Sequence, residues 1–201
     1  MITSGVAALF PFVAAALTMW GTPGPNNIML AHSGARFGLR RTLPHLCGIV
    51  MGTTSLTLVG LVVLEPIVTR WPASLVVIKV PGSCWLLWIG LKMARAARSP
   101  TVAENERPMG FVAAALFQFS NPKAITSTIA LASLALTAAN RNPWLLGVAL
   151  LAVPPAGFVA NGTWAVAGLS IRRFLATPGR WAIFTGAMGV LCGGSALFLW
   201  L

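Results

Sequence analysis

The sequence predicts an all-α integral membrane protein with six transmembrane helices, built as two inverted three-helix repeats in which spans one and four are broken by proline. Composition is the first reason, because 57% of the 201 residues are hydrophobic, 8% are charged and the mean hydropathy is +0.82. Soluble domains carry about 25% charged residues. The second reason is that six apolar runs approach the length needed to cross about 30 Å of hydrocarbon. The third is that two of these runs contain proline motifs that interrupt a helix.

Span one, residues 2–31, is interrupted by the sequence GTPGPNN at Gly21–Asn27. Proline lacks an N–H and its ring clashes with the carbonyl four residues back, so Pro23 and Pro25 should free the carbonyls of Met19 and Gly21. An unpaired backbone group in hydrocarbon costs several kcal/mol. We therefore expect a site at the break, where protein, water or a solute satisfies these groups. No Lys or Arg precedes the apolar core, which favours a retained span over a signal peptide.

Spans two and three are predicted over residues 43–64 and 74–93. Span two carries the hydroxyl cluster Thr53–Thr57, for which helix packing and a pore-lining face both remain open. A hydrophilic linker, residues 99–108, follows span three and divides the chain into a first repeat, residues 1–98, and a second, residues 109–201. Since each half has three crossings, the second half must be inverted relative to the first.

Span four, residues 109–136, is interrupted at Ser120–Lys123, where Pro122 should release the carbonyl of Gln118. Lys123 then places a charge near the middle of the span, which by default indicates a functional site. Span five, residues 144–169, contains Pro154, Pro155 and Asn161, and span six is predicted over residues 182–201. Proline-broken segments at corresponding places in inverted halves mark the binding sites of many secondary transporters.

The distribution of cations predicts the orientation, because cytoplasmic loops are enriched in Lys and Arg. The links after spans two and four hold only Arg70 and Arg141. Both termini should therefore face the periplasm, and the linker should be cytoplasmic. The links after spans one, three and five hold Arg36, Arg40, Arg41, Lys92, Arg95, Arg98, Arg107, Arg172, Arg173 and Arg180.

Four segments together resemble the LysE/RhtB family of amino-acid exporters. They are Thr22–Asn27, the glycine-rich start of span two at Gly48–Gly52, Lys79 with Gly82–Met93 in span three, and Asn121–Ala124. Their order covers nearly the whole chain. The resemblance implies a secondary carrier of the bacterial inner membrane that expels amino acids or close derivatives, driven by ion gradients.

Two positions depart from the family pattern. Members often carry an acidic residue directly after the second glycine of span two and another in span five, where this chain has Thr53 and Asn161. The three acids of the chain, Glu65, Glu104 and Glu106, lie at a span end or in the linker. Since a carboxylate is the usual partner of a cationic substrate or a carried proton, a neutral zwitterion is the expected substrate.

The predicted binding site joins the two breaks. The half-helix that begins near Pro25 offers N–H groups and the positive end of its dipole to a carboxylate, and Lys123 would add a full charge. Freed carbonyls would accept the substrate ammonium. Alternatives remain: Lys123 as structural glue on backbone carbonyls, Asn26 and Asn27 as helix caps, and Asn161 as a bond to a neighbouring span. The predicted substrate-binding residues are Gly21, Pro23, Gly24, Pro25, Asn26, Asn27, Asn121, Pro122, Lys123 and Asn161.

Other functions fit the sequence less well. The spans offer no nucleophile with a base and no paired carboxylates, so no catalytic residues and no cofactor are expected. His45 and Cys47 lie on different faces of a helix, which disfavours a metal site. His32 and His45 are expected to be solvated or interfacial, with proton coupling as the alternative role. The cations between spans indicate membrane lipid contacts and no nucleic acid. A membrane scaffold or assembly protein and a passive channel remain the alternative functions. The sequence leaves open whether the chain forms a homo-oligomer.

Overall fold

The computed structural model describes residues 9–61, 70–71, 74–97, 106–139 and 142–197, without the side chains of 74–79, 81–82, 96 and 137–138. Both chain ends, most of the predicted linker, Glu65, Glu104 and the side chain of Lys79 lie outside this description. Within it, the fold is all-helical, with one 3₁₀ turn at Phe174–Ala176. The helices are α1 Phe10–Gly21, α2 Pro25–Phe37, α3 Leu39–Val59, α4 Ser74–Ala96, α5 Phe111–Gln118, α6 Pro122–Ala139, α7 Pro143–Ile171 and α8 Pro178–Gly194.

Both proline motifs interrupt their helices. Residues 22–24 separate α1 from α2, and residues 119–121 separate α5 from α6. In each case the second half-helix begins with proline at its first position, where the missing N–H costs nothing. The paired prolines of span five, by contrast, lie inside an uninterrupted α7.

The link between α2 and α3 is shorter than the sequence predicts. α3 begins at Leu39, and the single residue Gly38, with φ of 78°, makes the turn. Glycine adopts this left-handed conformation without steric cost. Arg36, which was expected in a loop, is therefore inside α2 and buried. Its guanidinium forms two parallel hydrogen bonds to the Glu106 carboxylate, at 2.8 and 2.6 Å.

Small residues let three pairs of helices approach closely. A Cβ added at Gly34 would collide with the backbone of α7, and one added at Gly168 would collide with the backbone of α2. Gly48 and Gly52 play the same role between α3 and α5. α4 crosses α8 where Gly90 would meet the carbonyl of Gly189 at 2.7 Å if it carried a Cβ. Such contacts are typical of helix packing in membranes.

The distribution of polarity suits a lipid environment. Among the described residues, α3 and α7 are long and apolar enough to cross a bilayer by length and composition, and α1 and Pro122–Leu136 are shorter apolar helices. Large apolar side chains lie on the outside, with Leu151, Ile183 and Val190 each more than 70% exposed. Several amide side chains lie inside, including Asn27, Gln118, Asn121 and Asn161.

Candidate functional site

The two breaks contact each other through Lys123. Its ammonium donates to the carbonyl of Thr22 at 2.6 Å, to the hydroxyl of Thr22 at 3.0 Å and to the carbonyl of Pro23 at 3.2 Å. Gly24 allows this approach, because a Cβ there would lie 2.7 Å from Lys123 Cδ. In this conformation, Lys123, in the first turn of α6, is therefore hydrogen-bonded to the segment between α1 and α2.

Asn27 also ties down the first break. Its side-chain amide donates to the carbonyl of Trp20 at 2.9 Å and to that of Thr22 at 2.6 Å. These acceptors lie at and just after the C-terminal end of α1, and α2 has no side-chain cap at Gly24. The expected alternative role, a cap on the second half-helix, is thus wrong: Asn27 satisfies the end of the first.

Asn26 joins the two halves of the chain through an amide cluster. It donates to Gln118 Oε1 at 2.8 Å and accepts from Gln118 Nε2 at 3.1 Å. The side-chain amide of Asn121 donates to Asn26 Oδ1 at 3.4 Å. The alternative role of Asn26, a cap on the second half-helix, is therefore also absent. Buried Asn121 Oδ1 has no hydrogen-bond partner. An acceptor is therefore left unpaired at the junction, the place where the two helix breaks meet.

A small cavity lies at this junction, and seven of the ten predicted site residues line it. Its volume is about 20 Å³, enough for one water and too small for an amino acid. Trp20 lies on the wall, and its buried Nε1 donor has no partner. The cavity therefore has an unpaired donor and an unpaired acceptor in its lining residues. The lining residues are Trp20, Gly24, Pro25, Asn26, Asn27, Thr53, Asn121, Lys123, Ala124, Ser127 and Asn161.

The other three predicted residues, Gly21, Pro23 and Pro122, do not line the cavity but shape the breaks. Two carbonyls expected to be free are already satisfied by protein. Met19 accepts from the Thr22 hydroxyl at 2.9 Å, and Gly21 accepts from Trp164 Nε1 on α7 at 2.9 Å. The expectation that these carbonyls await the substrate ammonium therefore does not hold in this conformation.

Thr53 and Asn161, the positions where family members often carry acids, both line the cavity. Their polar groups bond within their own helices: Thr53 Oγ1 donates to Ile49 O at 2.8 Å, and Asn161 Nδ2 donates to Gly157 O at 2.9 Å. The alternative role of Asn161, a bond to a neighbouring span, is not the one seen here. Both side chains are buried, so a carboxylate at either place would face the same small cavity.

Three residues of the junction were missed by the sequence argument: Trp20, Gln118 and Ser127. Gln118 was noted only for its carbonyl, which here accepts from the backbone N–H of Asn121 at 3.3 Å. A glutamine one turn before an Asn-Pro break in an apolar helix was a usable signal, because an amide in hydrocarbon needs a partner. Trp20 and Ser127 gave no distinct signal, since both residue types are common in spans.

A larger cavity of about 240 Å³ lies toward the end of the molecule that carries the Arg36–Glu106 pair. α2, α3 and α4 line it together with the segment that leads into α5. Exposed Lys92 and Arg107 stand on its wall. In the part of the chain that is described, no three His, Cys, Asp or Glu side chains are placed to hold a metal ion.

The chain is similar to known transport proteins along its length. The family model described as LysE type translocator matches residues 2–201. The cysteine/O-acetylserine efflux protein of Klebsiella pneumoniae subsp. pneumoniae is 32% identical over 160 residues, covering 79% of this chain and 81% of that protein. The protein of the same name from Salmonella typhimurium is 31% identical over 162 residues, with the same coverage. No solved structure matches the chain significantly. The chain belongs to the LysE type translocator family, whose members are membrane transporters and not enzymes.

Proposed function

We propose that this protein is a secondary transporter that exports a neutral, zwitterionic amino acid or a close derivative across the bacterial inner membrane. The single observation that carries the proposal is the meeting of two broken helices at a polar cavity. Its lining residues include Trp20, whose Nε1 donor is unpaired, and Asn121, whose Oδ1 acceptor is unpaired. A zwitterion has a carboxylate that can accept from the unpaired donor and an ammonium that can donate to the unpaired acceptor. The names of the relatives, efflux proteins for cysteine and O-acetylserine, favour the same substrate class.

In the proposed architecture, α1 with α2 forms span one and α5 with α6 forms span four, while α3, α4, α7 and α8 are the remaining spans. The packing supports two inverted repeats. α3 packs on α5 as α7 packs on α1, and α2 packs on α3 as α6 packs on α7. α4 and α8 pack on each other. If α1 to α4 are exchanged for α5 to α8 in order, each of these contacts is therefore replaced by another one of the set.

Both termini face the periplasm in this proposal, so the larger cavity opens toward the cytoplasm. Its volume of about 240 Å³ is near the lower limit of small-molecule sites. The amino acid enters this cavity and reaches the breaks when the junction opens. Its carboxylate then replaces the carbonyls of Thr22 and Pro23 as the partner of Lys123, and its ammonium takes the free Asn121 oxygen.

The absence of a carboxylate from the junction is what favours a neutral substrate. The cavity is lined by amides, hydroxyls, apolar groups and one ammonium, with no acid among its residues. A cationic side chain there would face Lys123 without compensation, and a buried unpaired charge is costly. Export of lysine or arginine is therefore disfavoured.

The test is efflux from dipeptide-loaded cells that express the protein, measured as the rate at which each amino acid appears in the medium. Cysteine, O-acetylserine or another neutral amino acid should leave faster than from cells with an empty vector, and lysine and arginine should not. Equal efflux in the two strains for every neutral amino acid would refute the proposal. Leakage of all small solutes alike would instead indicate a passive channel.

The matched variant is Asn161→Asp, which has nearly the same shape and adds an acid at the cavity. Lysine or arginine efflux should rise, because a carboxylate would now offset the second charge of the substrate. Asn142→Asp, at the exposed N-cap of α7, is the control for an added acid away from the cavity. If both variants have the same substrate preference as the wild type, the assignment of the cavity as the substrate site is wrong.

A further inference from the structure

The larger cavity contains two histidines that the substrate site does not use. His32 on α2 and His45 on α3 both line it, and both are more than 90% buried. They were expected to be solvated or interfacial, which is wrong: α8 covers His32 with Trp181, whose ring centroid lies 5.9 Å from the imidazole. Ser33 Oγ lies 3.2 Å from His45 Nδ1, within hydrogen-bonding distance of that ring.

The outer nitrogen of each ring, Nε2, is buried without a hydrogen-bond partner, and so is Trp85 Nε1 in the same wall. Buried polar atoms are nearly always paired, so three unpaired nitrogens around one cavity need an explanation. Here one nitrogen of His45 has a partner that can either donate or accept, because a hydroxyl rotates. The other nitrogen, Nε2, has no partner in this conformation.

The charged groups around the pair are one carboxylate, Glu106, which lines the same cavity, and several cations. On α2, Arg36 lies one turn beyond His32 and is held by both carboxylate oxygens of Glu106. Lys92 of α4 lies 5.4 Å from the Trp88 ring, and Arg107 is exposed. Arg41 of α3 bonds the backbone of Glu106.

The remaining described helices add no carboxylate. α5 and α7 contain no titratable side chain, α6 contributes Lys123 at the breaks, and α8 contributes Arg180, which stacks on Phe174, and buried Cys192. The described spans hold no carboxylate. Histidine is also the side chain that ordinarily changes charge near neutral pH.

We propose that His32 and His45 form the proton-binding site that couples amino-acid export to the proton gradient, an inference that rests on the proposed function. Periplasmic water protonates one imidazole when the substrate has left outward. The proton passes to cytoplasmic water through the larger cavity when the transporter returns, and the neutral pair then permits loading. Two adjacent imidazolium charges would repel, so the pair carries one proton per cycle.

Two measurements on purified protein in liposomes separate proton coupling from translocation of the amino acid. Exchange of labelled for unlabelled amino acid across the membrane needs no gradient, whereas accumulation needs the proton. The voltage is held at zero and a difference of one pH unit is imposed. One pH unit is a tenfold ratio of proton concentrations, so with one proton per cycle the wild type should build up a concentration ratio of about tenfold for its amino acid. His32→Gln/His45→Gln should retain exchange and accumulate nothing. Arg173→Gln, an exposed cation outside both cavities, is the control and should behave as the wild type.

The outcomes are distinguishable. Tenfold accumulation by the double variant would refute the histidine assignment. Wild-type exchange without accumulation would refute proton coupling while leaving the exporter intact, and no exchange of any amino acid would refute the proposed function itself. If the double variant does not fold, the single His45→Gln variant is measured in the same way. Downhill amino-acid flux through the wild type must also drive opposite proton flux, reported by a pH-sensitive dye inside the liposomes; no dye response would overturn the proposal.

Discussion

Replacing Lys123 with Met distinguishes a substrate anchor from structural glue. Methionine keeps much of the length of the side chain and removes the ammonium, which contacts two oxygens of Thr22 and one of Pro23. The two Thr22 oxygens keep other bonds, since its carbonyl still accepts from Asn27 and its hydroxyl still donates to Met19. Only the Pro23 carbonyl, whose bond from Lys123 would be lost, has no other hydrogen-bond partner among the described residues.

The expected cost in folding is therefore about 1–3 kcal/mol, the penalty for one unsatisfied polar group. This is too little to prevent membrane insertion. Transport should suffer more, because losing one partner of a buried charge pair costs about 2–5 kcal/mol. At about 1.4 kcal/mol per factor of ten, efflux should fall at least roughly 30-fold. Lys123→Arg should retain little activity, because a planar fork does not replace a compact ammonium in a tight site.

The assay is efflux from dipeptide-loaded cells, normalised to the amount of transporter in the membrane. Arg173→Met is the control for the loss of an exposed cation and should export at the wild-type rate. If Lys123→Met exports normally, the anchor role is refuted. If it fails to accumulate in the membrane, the ammonium is structural glue, as its contacts in this conformation allow.

Further predictions concern packing, the ion pair and orientation. Gly168→Ala should lower the free energy of unfolding by about 1–3 kcal/mol because its Cβ would collide with the backbone of α2, whereas Gly147→Ala, in open space, should not destabilise; thermal unfolding in detergent measures both. Glu106→Gln should lower the melting temperature by weakening the bond to the buried Arg36 guanidinium, by about 1–3 kcal/mol since Glu106 itself is partly exposed. An unchanged melting temperature would show that the pair adds no stability. A reporter fused after Leu201 should be active only in the periplasm, and cytoplasmic activity would mean that the orientation is reversed.

The breaks could be predicted because their cause is local. Pro23, Pro25 and Pro122 each remove an N–H and clash with a preceding carbonyl, whatever surrounds them. The odd number of predicted crossings in each half implies that the second half is inverted. Broken segments at corresponding places in inverted halves are expected to meet at the binding site. Which atoms meet could not be predicted: the Asn26–Gln118 pair depends on two side chains 92 positions apart.

The errors arose where tertiary contacts override a local rule. Arg36 was assigned to a loop because cations cluster at membrane surfaces, but a one-residue turn at Gly38 and the Glu106 carboxylate place it inside a helix. His32 was assigned to the interface because it lies near the predicted end of a span, and its burial comes from Trp181 in the last helix. Neither partner is close in sequence, so no local pattern could identify it.

The central claim is that the exported amino acid binds where the two broken helices meet. A structure determined with saturating O-acetylserine tests it most directly. We expect the ligand in an enlarged cavity between the breaks, with its carboxylate beside the Lys123 ammonium and its own ammonium at Asn121. Ligand bound only in the larger cavity, with Lys123 still on the carbonyls of Thr22 and Pro23, would contradict the claim.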